Sequence, residues 1–200
     1  MRNKIIIIII FSFLNTILLA ENINIQSKNI VIDKKKETTV FEGEVKVITE
    51  DNTQITSDYA NYNKKTGLLI LKENIIAIDE ANNILETNYA EFSEYNRILK
   101  SVGPTKIITT EKYIIDGQDI ILNDKNKIIK SDSKSVITDI NNSKIYLDNF
   151  EYQANNNIFK SVGFIKIEDL NNNSYEFSQI YIDTKKKEIL GTDIKTFLNV

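Results

Sequence analysis

Apolar and polar residues alternate along nearly the whole chain, and the alternation itself recurs. The octapeptides that begin at residues 26, 56, 86, 116, 146 and 176 read QSKNIVID, TSDYANYN, ETNYAEFS, DGQDIILN, YLDNFEYQ and EFSQIYID. Their fifth positions are Ile30, Ala60, Ala90, Ile120, Phe150 and Ile180, and their seventh are Ile32, Tyr62, Phe92, Leu122, Tyr152 and Ile182. The eighth is always polar: Asp33, Asn63, Ser93, Asn123, Gln153 and Asp183, where a strand would hand over to a turn. A fixed spacing of thirty residues marks a repeat architecture, in which each unit covers the apolar face of its neighbour.

The second half of each unit recurs too. Ile98–Ile107 reads ILKSVGPTKI and Ile158–Ile167 reads IFKSVGFIKI, identical at seven of ten positions, with IIKSDSKSVI at Ile128–Ile137 between them. Gly43, Gly103 and Gly163 fall at one point of their units, with Glu73, Ser133 and Asp193 at the others. Glycine inside a strand marks a bulge or a bend, and Pro104 suits a strand end because it cannot donate to a ladder. Each unit holds two alternating runs, such as Val40–Val47 and Thr53–Tyr62. Period two with many β-branched residues predicts strands, and no segment has a helical period. The expectation is about twelve short strands. An all-β fold follows: an elongated antiparallel β-jelly-roll of stacked V-shaped rungs built from six repeats of about 30 residues, or a coiled β-helix with one turn per unit. Short turns rich in Asn and Lys favour the antiparallel form.

The first twenty residues stand outside this pattern. Arg2 and Lys4 precede an apolar run from Ile5 to Leu19, broken by Ser12, Asn15 and Thr16, and Ala20 lies before the charged Glu21. That layout predicts a signal peptide over residues 1–20 and a mature domain over 21–200. The run is shorter than the roughly 20 residues a spanning helix needs, which favours cleavage over anchoring. No cysteine follows it, so a lipoprotein is excluded.

Composition removes most catalytic chemistries. The chain has no His, Cys or Trp, so disulfides, zinc clusters and Cys/His or Ser/His pairs are excluded. No cofactor is expected. Carboxylate pairs such as Asp79/Glu80 and Asp116/Asp119 fall at turn positions with no converging partner, and the chain is read as a non-enzyme. After residue 20 there remain 23 basic and 28 acidic side chains, with Arg97 the one arginine among them. Basic residues so scattered predict no nucleic-acid binding.

Phe41-Glu42-Gly43-Glu44-Val45-Lys46-Val47, followed by Gln54-Ile55-Thr56-Ser57-Asp58-Tyr59-Ala60-Asn61-Tyr62, resembles the opening of the OstA-like domains of lipopolysaccharide transport: an F-x-G-x-V strand, a polar turn and an A-D-x-A-x-Y strand, here with Ser57 in place of the first alanine. Recurrence at Thr87–Phe92 and Gly163–Ile165 extends the likeness over residues 23–195. The family includes a free periplasmic bridge protein and the amino-terminal periplasmic domain of the outer-membrane assembly protein. Ile189–Leu198 looks more like the latter, so the chain is expected to be the front portion of a longer outer-membrane protein, with a stand-alone bridge as the alternative.

The resemblance implies a periplasmic carrier, associated with the outer membrane, that shields the lipid A acyl chains of lipopolysaccharide and stacks end to end with other OstA-like domains. Holding a chain of about a dozen methylenes in water costs on the order of 10 kcal/mol at ~0.8 kcal/mol per CH₂, so a carrier needs a continuous apolar trough. Its candidate lining is Phe41, Val45, Val47, Leu71, Ile75, Phe159, Ile165 and Ile167, residues that could equally fill a closed core. Ile23-Asn24-Ile25 and Ile194–Leu198 are the candidate open edges. The rival reading is a secreted β-solenoid surface adhesin or structural repeat protein, without an interior trough; a polysaccharide-degrading β-helix is the enzyme alternative.

Overall fold

A computed structural model describes residues 23–186 and 188–199, so the predicted signal peptide lies outside the described residues. Among these residues the regular structure is entirely strand. The chain makes twelve passes, each running from one sheet to the other or back. The first pass is β1 (Ile23–Gln26) and β2 (Asn29–Asp33). The next four are single bent strands: β3 (Thr38–Thr49), β4 (Gln54–Asn63), β5 (Leu68–Ile78) and β6 (Ile84–Ser93). The middle four are each cut in two: β7 (Ile98–Ser101) with β8 (Pro104–Ile108), β9 (Ile114–Gln118) with β10 (Ile121–Asn123), β11 (Ile128–Ser131) with β12 (Ser135–Thr138), and β13 (Lys144–Leu147) with β14 (Phe150–Gln153). Then come β15 (Ile158–Glu168), β16 (Ser174–Asp183) and the final pair β17 (Glu188–Thr192) and β18 (Lys195–Phe197). Six passes are interrupted at the bend and six are not, which is why twelve expected strands appear as eighteen.

All pairing is antiparallel and sorts into two sheets. The front sheet contains β2, β7, β10, β11, β14, β17 and the adjoining halves of the long strands; for example, Leu69 pairs with Phe92 and Phe92 with Leu99. The back sheet contains β1, β8, β9, β12, β13, β18 and the other halves, with Ile107 paired to Ile115 and Ile115 to Ile137. The V-shaped antiparallel reading holds and the coiled β-helix does not, because turns of four or five residues permit only antiparallel return.

The bend sits at the glycine register. Register shifts between Glu42 and Val45, Lys72 and Ile75, and Val162 and Ile165 break each ladder there. The backbone enters positive φ at Gly43 (75°), Glu73 (64°), Gly103 (80°), Gly163 (110°) and Asp193 (55°), the same point of five units. A bulge of this kind bends a strand but leaves backbone groups unpaired. Side chains take them up on both surfaces. Outside, Gly103 N–H donates to Asp119 Oδ1 (2.9 Å) and Phe164 N–H to Asp148 Oδ2 (3.0 Å). Inside, buried hydroxyls do so: Ser101 Oγ accepts from Ile120 N–H (2.9 Å), Ser131 Oγ donates to Gln118 O (2.6 Å) and Ser161 Oγ to Asn149 O (2.6 Å). No buried side-chain polar atom among the described residues lacks a partner.

Two turn families close the V at its open side. Back-sheet turns begin at Thr49, Asp79, Thr109, Asp139 and Asp169, whose side-chain oxygens accept the N–H four residues on at 2.8 to 3.1 Å. Each passes through positive φ at Asn52, Asn82, Lys112, Asn142 or Asn172, the geometry of a type I turn followed by one left-handed residue. Front-sheet turns follow the polar eighth position of each octapeptide and pass through positive φ at Glu37, Gly67, Arg97, Lys127 and Asn157. They stack on one another, as in Glu94 N–H to Gly67 O (2.9 Å) and Asp124 N–H to Arg97 O (3.0 Å).

Candidate functional site: the interior seam

Because side chains alternate between faces, each sheet turns two apolar rows inward. On the front sheet the row beside the turns includes Leu69, Phe92, Leu99, Leu122, Ile129, Tyr152, Phe159 and Ile182 in unbroken register. On the back sheet the matching row includes Val47, Ile55, Ala77, Leu85, Ile107, Ile115, Ile137, Ile145 and Ile167. Rows nearer the bend interleave Val45, Leu71, Ile75, Leu147, Phe150 and Ile165 with the hydroxyls described above. Phe150 and Phe159 stack with centroids 6.1 Å apart.

Every candidate lining residue named from the sequence lies in this interior. Phe41, Val45, Val47, Leu71, Ile75, Phe159 and Ile165 are buried, and Ile167 is half-buried against the same cluster. They are not one patch: five belong to the first four passes and three to β15. Between Ile165 and Ile167, Lys166 is half-buried on the outer face, where its ammonium meets Glu168 at 2.6 Å.

The interior is not uniform. Beside the turns, Leu69, Phe92, Leu99, Val47, Ile55 and Ile107 are buried in the first half of the roll, with Ile25 and Tyr62 partly covered at its start. In the second half Leu122, Ile129, Tyr152, Ile182, Ile145 and Ile167 are only partly covered, whereas Ile115, Ile137 and Phe159 stay buried. Close to the bend, burial is complete in both halves, as Val45 and Ile165 show. Cover of the mouth rows is therefore fuller over the earlier passes and thinner toward the end of the roll, and in that sense the mouth is parted there. Sequence reasoning named Ile167 among these partly covered residues and missed the other five, because periodicity marks which face is inward but not how far apart two facing sheets stand.

The lips of the mouth differ in charge. Over the first half, the front-sheet tips carry Lys34, Lys35, Lys36, Lys64, Lys65 and Arg97 against Asp33, Glu37 and Glu94. The back-sheet tips carry Glu50, Asp51, Asp79, Glu80 and Glu111 against Lys112 alone. The two lips meet where Arg97 Nη2 approaches Asp51 Oδ2 (3.6 Å), while the same nitrogen holds Asp124 Oδ2 on its own lip (2.5 Å). Burial acts to raise the Asp51 pKa, yet hydrogen bonds from Thr49 and Thr53 and the charge of Arg97 leave it below the ordinary aspartate value. Over the second half the back-sheet tips present Ile140 and Leu170, each 63% exposed.

No protein-family model matches this chain, and neither does any curated protein. Among solved structures it is similar to LptH of Pseudomonas aeruginosa, described as the LptA homologous periplasmic component of the lipopolysaccharide transport device, at 12% identity over 89% of this chain and 95% of that one, with a TM-score of 0.25. It is also similar to the TCP10 domain of Danio rerio CPAP, at 11% identity over 86% and 100% of the two chains, with a TM-score of 0.19. Scores this low carry no argument about family or activity, and what is established of this chain is its all-β, antiparallel two-sheet architecture.

Proposed function

We propose that the chain is a non-catalytic periplasmic carrier that shields the acyl chains of lipopolysaccharide and joins end to end with domains of its own kind. The observation that supports this most is the pair of facing apolar rows that run without a break from pass to pass and are parted at the mouth over the second half. A filled core needs no parted mouth. The resemblance at Phe41–Val47 and Gln54–Tyr62 adds the lipopolysaccharide class. Open edges at both ends supply the means of joining: among the described residues, β1 and β2 pair only with β3, and β17 and β18 only with β16.

The test is a photo-reactive residue at Ile167, which faces the parted interior, compared with one at Val162, which is 56% exposed on the outer ridge of the bend. In cells, Ile167 should crosslink to lipopolysaccharide and Val162 should not. Equal labelling at both positions would overturn the trough. The likeness of Ile189–Leu198 favours the outer-membrane assembly branch of the OstA-like family, with a stand-alone bridge as the alternative. Coding sequence that continues past codon 200 supports that assignment, and a stop codon there overturns it.

A further inference from the structure

The asymmetry of the seam is not fraying at an end. In the mouth row of the back sheet Ile25 is partly covered at the start of the roll, yet Val47 one pass later and Ile55 beside it are already buried. Toward the other end, partial cover of the mouth row reaches back to Leu122, five passes from the last strand. Something closes the first half, and one contact that crosses the mouth there is Arg97 with Asp51. Asp51 is fixed by Thr49 Oγ1 (2.5 Å) and Thr53 Oγ1 (3.1 Å) within its turn, and Arg97 by Asp124, so each lip presents a pre-oriented charge to the other. The lips around that pair are of opposite sign, which draws them together over a Debye length of about 8 to 10 Å at moderate salt. Over the second half Ile140 and Leu170 stand where Glu50 and Glu80 stand in the first, which leaves Asp139 and Asp169 as the acidic residues of those back-sheet tips and weakens the attraction between the lips.

We infer that the roll is latched shut over its first half by Arg97 bridging Asp51 and Asp124, and that a single-chain anionic amphiphile enters through the parted second half and advances only when the latch opens. The entry step rests on the carrier reading; the latch itself does not. Because the chain has no cysteine, introduced pairs report the mouth width directly. Spin labels at Lys65 and Glu80 span the latched half, and labels at Asn141 and Asn155 span the parted half. Asp51→Asn, which leaves the Arg97–Asp124 pair in place, should lengthen and broaden the Lys65–Glu80 distance distribution and leave Asn141–Asn155 unchanged. High salt should do the same to the native chain and have a smaller effect on the variant, which keeps only the opposite charges of the surrounding lips. Arg97→Asn, a side chain that tolerates the φ of 53° found there, should reproduce the effect. An unchanged Lys65–Glu80 distribution in both variants would overturn the latch. In stopped flow, uptake of cis-parinaric acid should quicken in Asp51→Asn by up to about fivefold, the range open to a partly exposed ion pair. Uptake by the native chain at an unaltered rate in the variant would overturn the gating role. No uptake by either would overturn the carrier reading, while the distance measurement still decides the latch.

Discussion

At the scale of single residues, the interior is held by positions that tolerate no loss of volume. Leu71 is wholly enclosed between Ala60 and Ala90 on the flanking strands. Leu71→Ala should lower the stability to urea by about 2 to 5 kcal/mol, whereas Val162→Ala on the outer ridge should stay within about 0.5 kcal/mol. Glycine is needed less often than its spacing suggests. Glu73 and Asn74 hold φ of 64° and 50° at the same bend, so the register itself accepts a side chain in the left-handed region. Gly163 is different: its φ is 110°, and a Cβ there would lie 3.1 Å from Asp148 Oδ2. Gly163→Ala should therefore cost about 1 to 2 kcal/mol in a denaturant melt, while Gly43→Asn should cost less. The buried serines of the K-S motif were visible as letters of the repeat, but their task, supplying partners where the ladder breaks, depends on a bulge that alternation does not reveal.

At the scale of elements, neighbouring strands are tied by side chains on the outer face as well as by the ladder. Tyr146 on β13 donates to Glu168 Oε2 on β15 (3.0 Å), and Lys166 approaches Glu168 Oε1 at 2.6 Å. The Lys166 hydrogen bond first, and that of Tyr146 second, lower the Glu168 pKa below the ordinary glutamate value. A carboxylate with a lowered folded pKa stabilises the fold above its unfolded pKa and loses that contribution as pH falls through the folded value. Carboxyl carbon NMR should find Glu168 titrating below a free glutamate, and Lys166→Ala should raise it. Titration in the ordinary range in the native chain would mean the network does not persist in solution. The turn residues were the most legible elements, since each depends on a local contact between a side chain and the backbone a few residues away. The splitting of middle passes was not legible, because it depends on how strongly each bend breaks pairing with the next strand.

At the scale of the molecule, stacking leaves both ends unfinished. Ile30 and Ile32 are 53% and 65% exposed on β2, and Ile189 and Leu190 are 54% and 68% exposed on β17, apolar edge residues that no strand among the described residues covers. Such edges join head to tail without closing into a ring. Sedimentation velocity should show association that rises with concentration and is abolished by Ile30→Lys with Ile32→Lys; monomers at all concentrations in the native chain would count against end-to-end joining.

What the sequence determined by itself was the periodic part: strands, turns, the inward rows and the thirty-residue unit. Those follow from alternation and from turn residues acting over a few positions, which every linear reading contains. Only the tertiary structure decided the two-sheet split, the closed and parted halves of the seam, and the meeting of Arg97 with Asp51 across 46 residues of chain. Each of these is a distance between faces, set by how bends and twist accumulate over successive passes, and the pattern of one strand carries no measure of it.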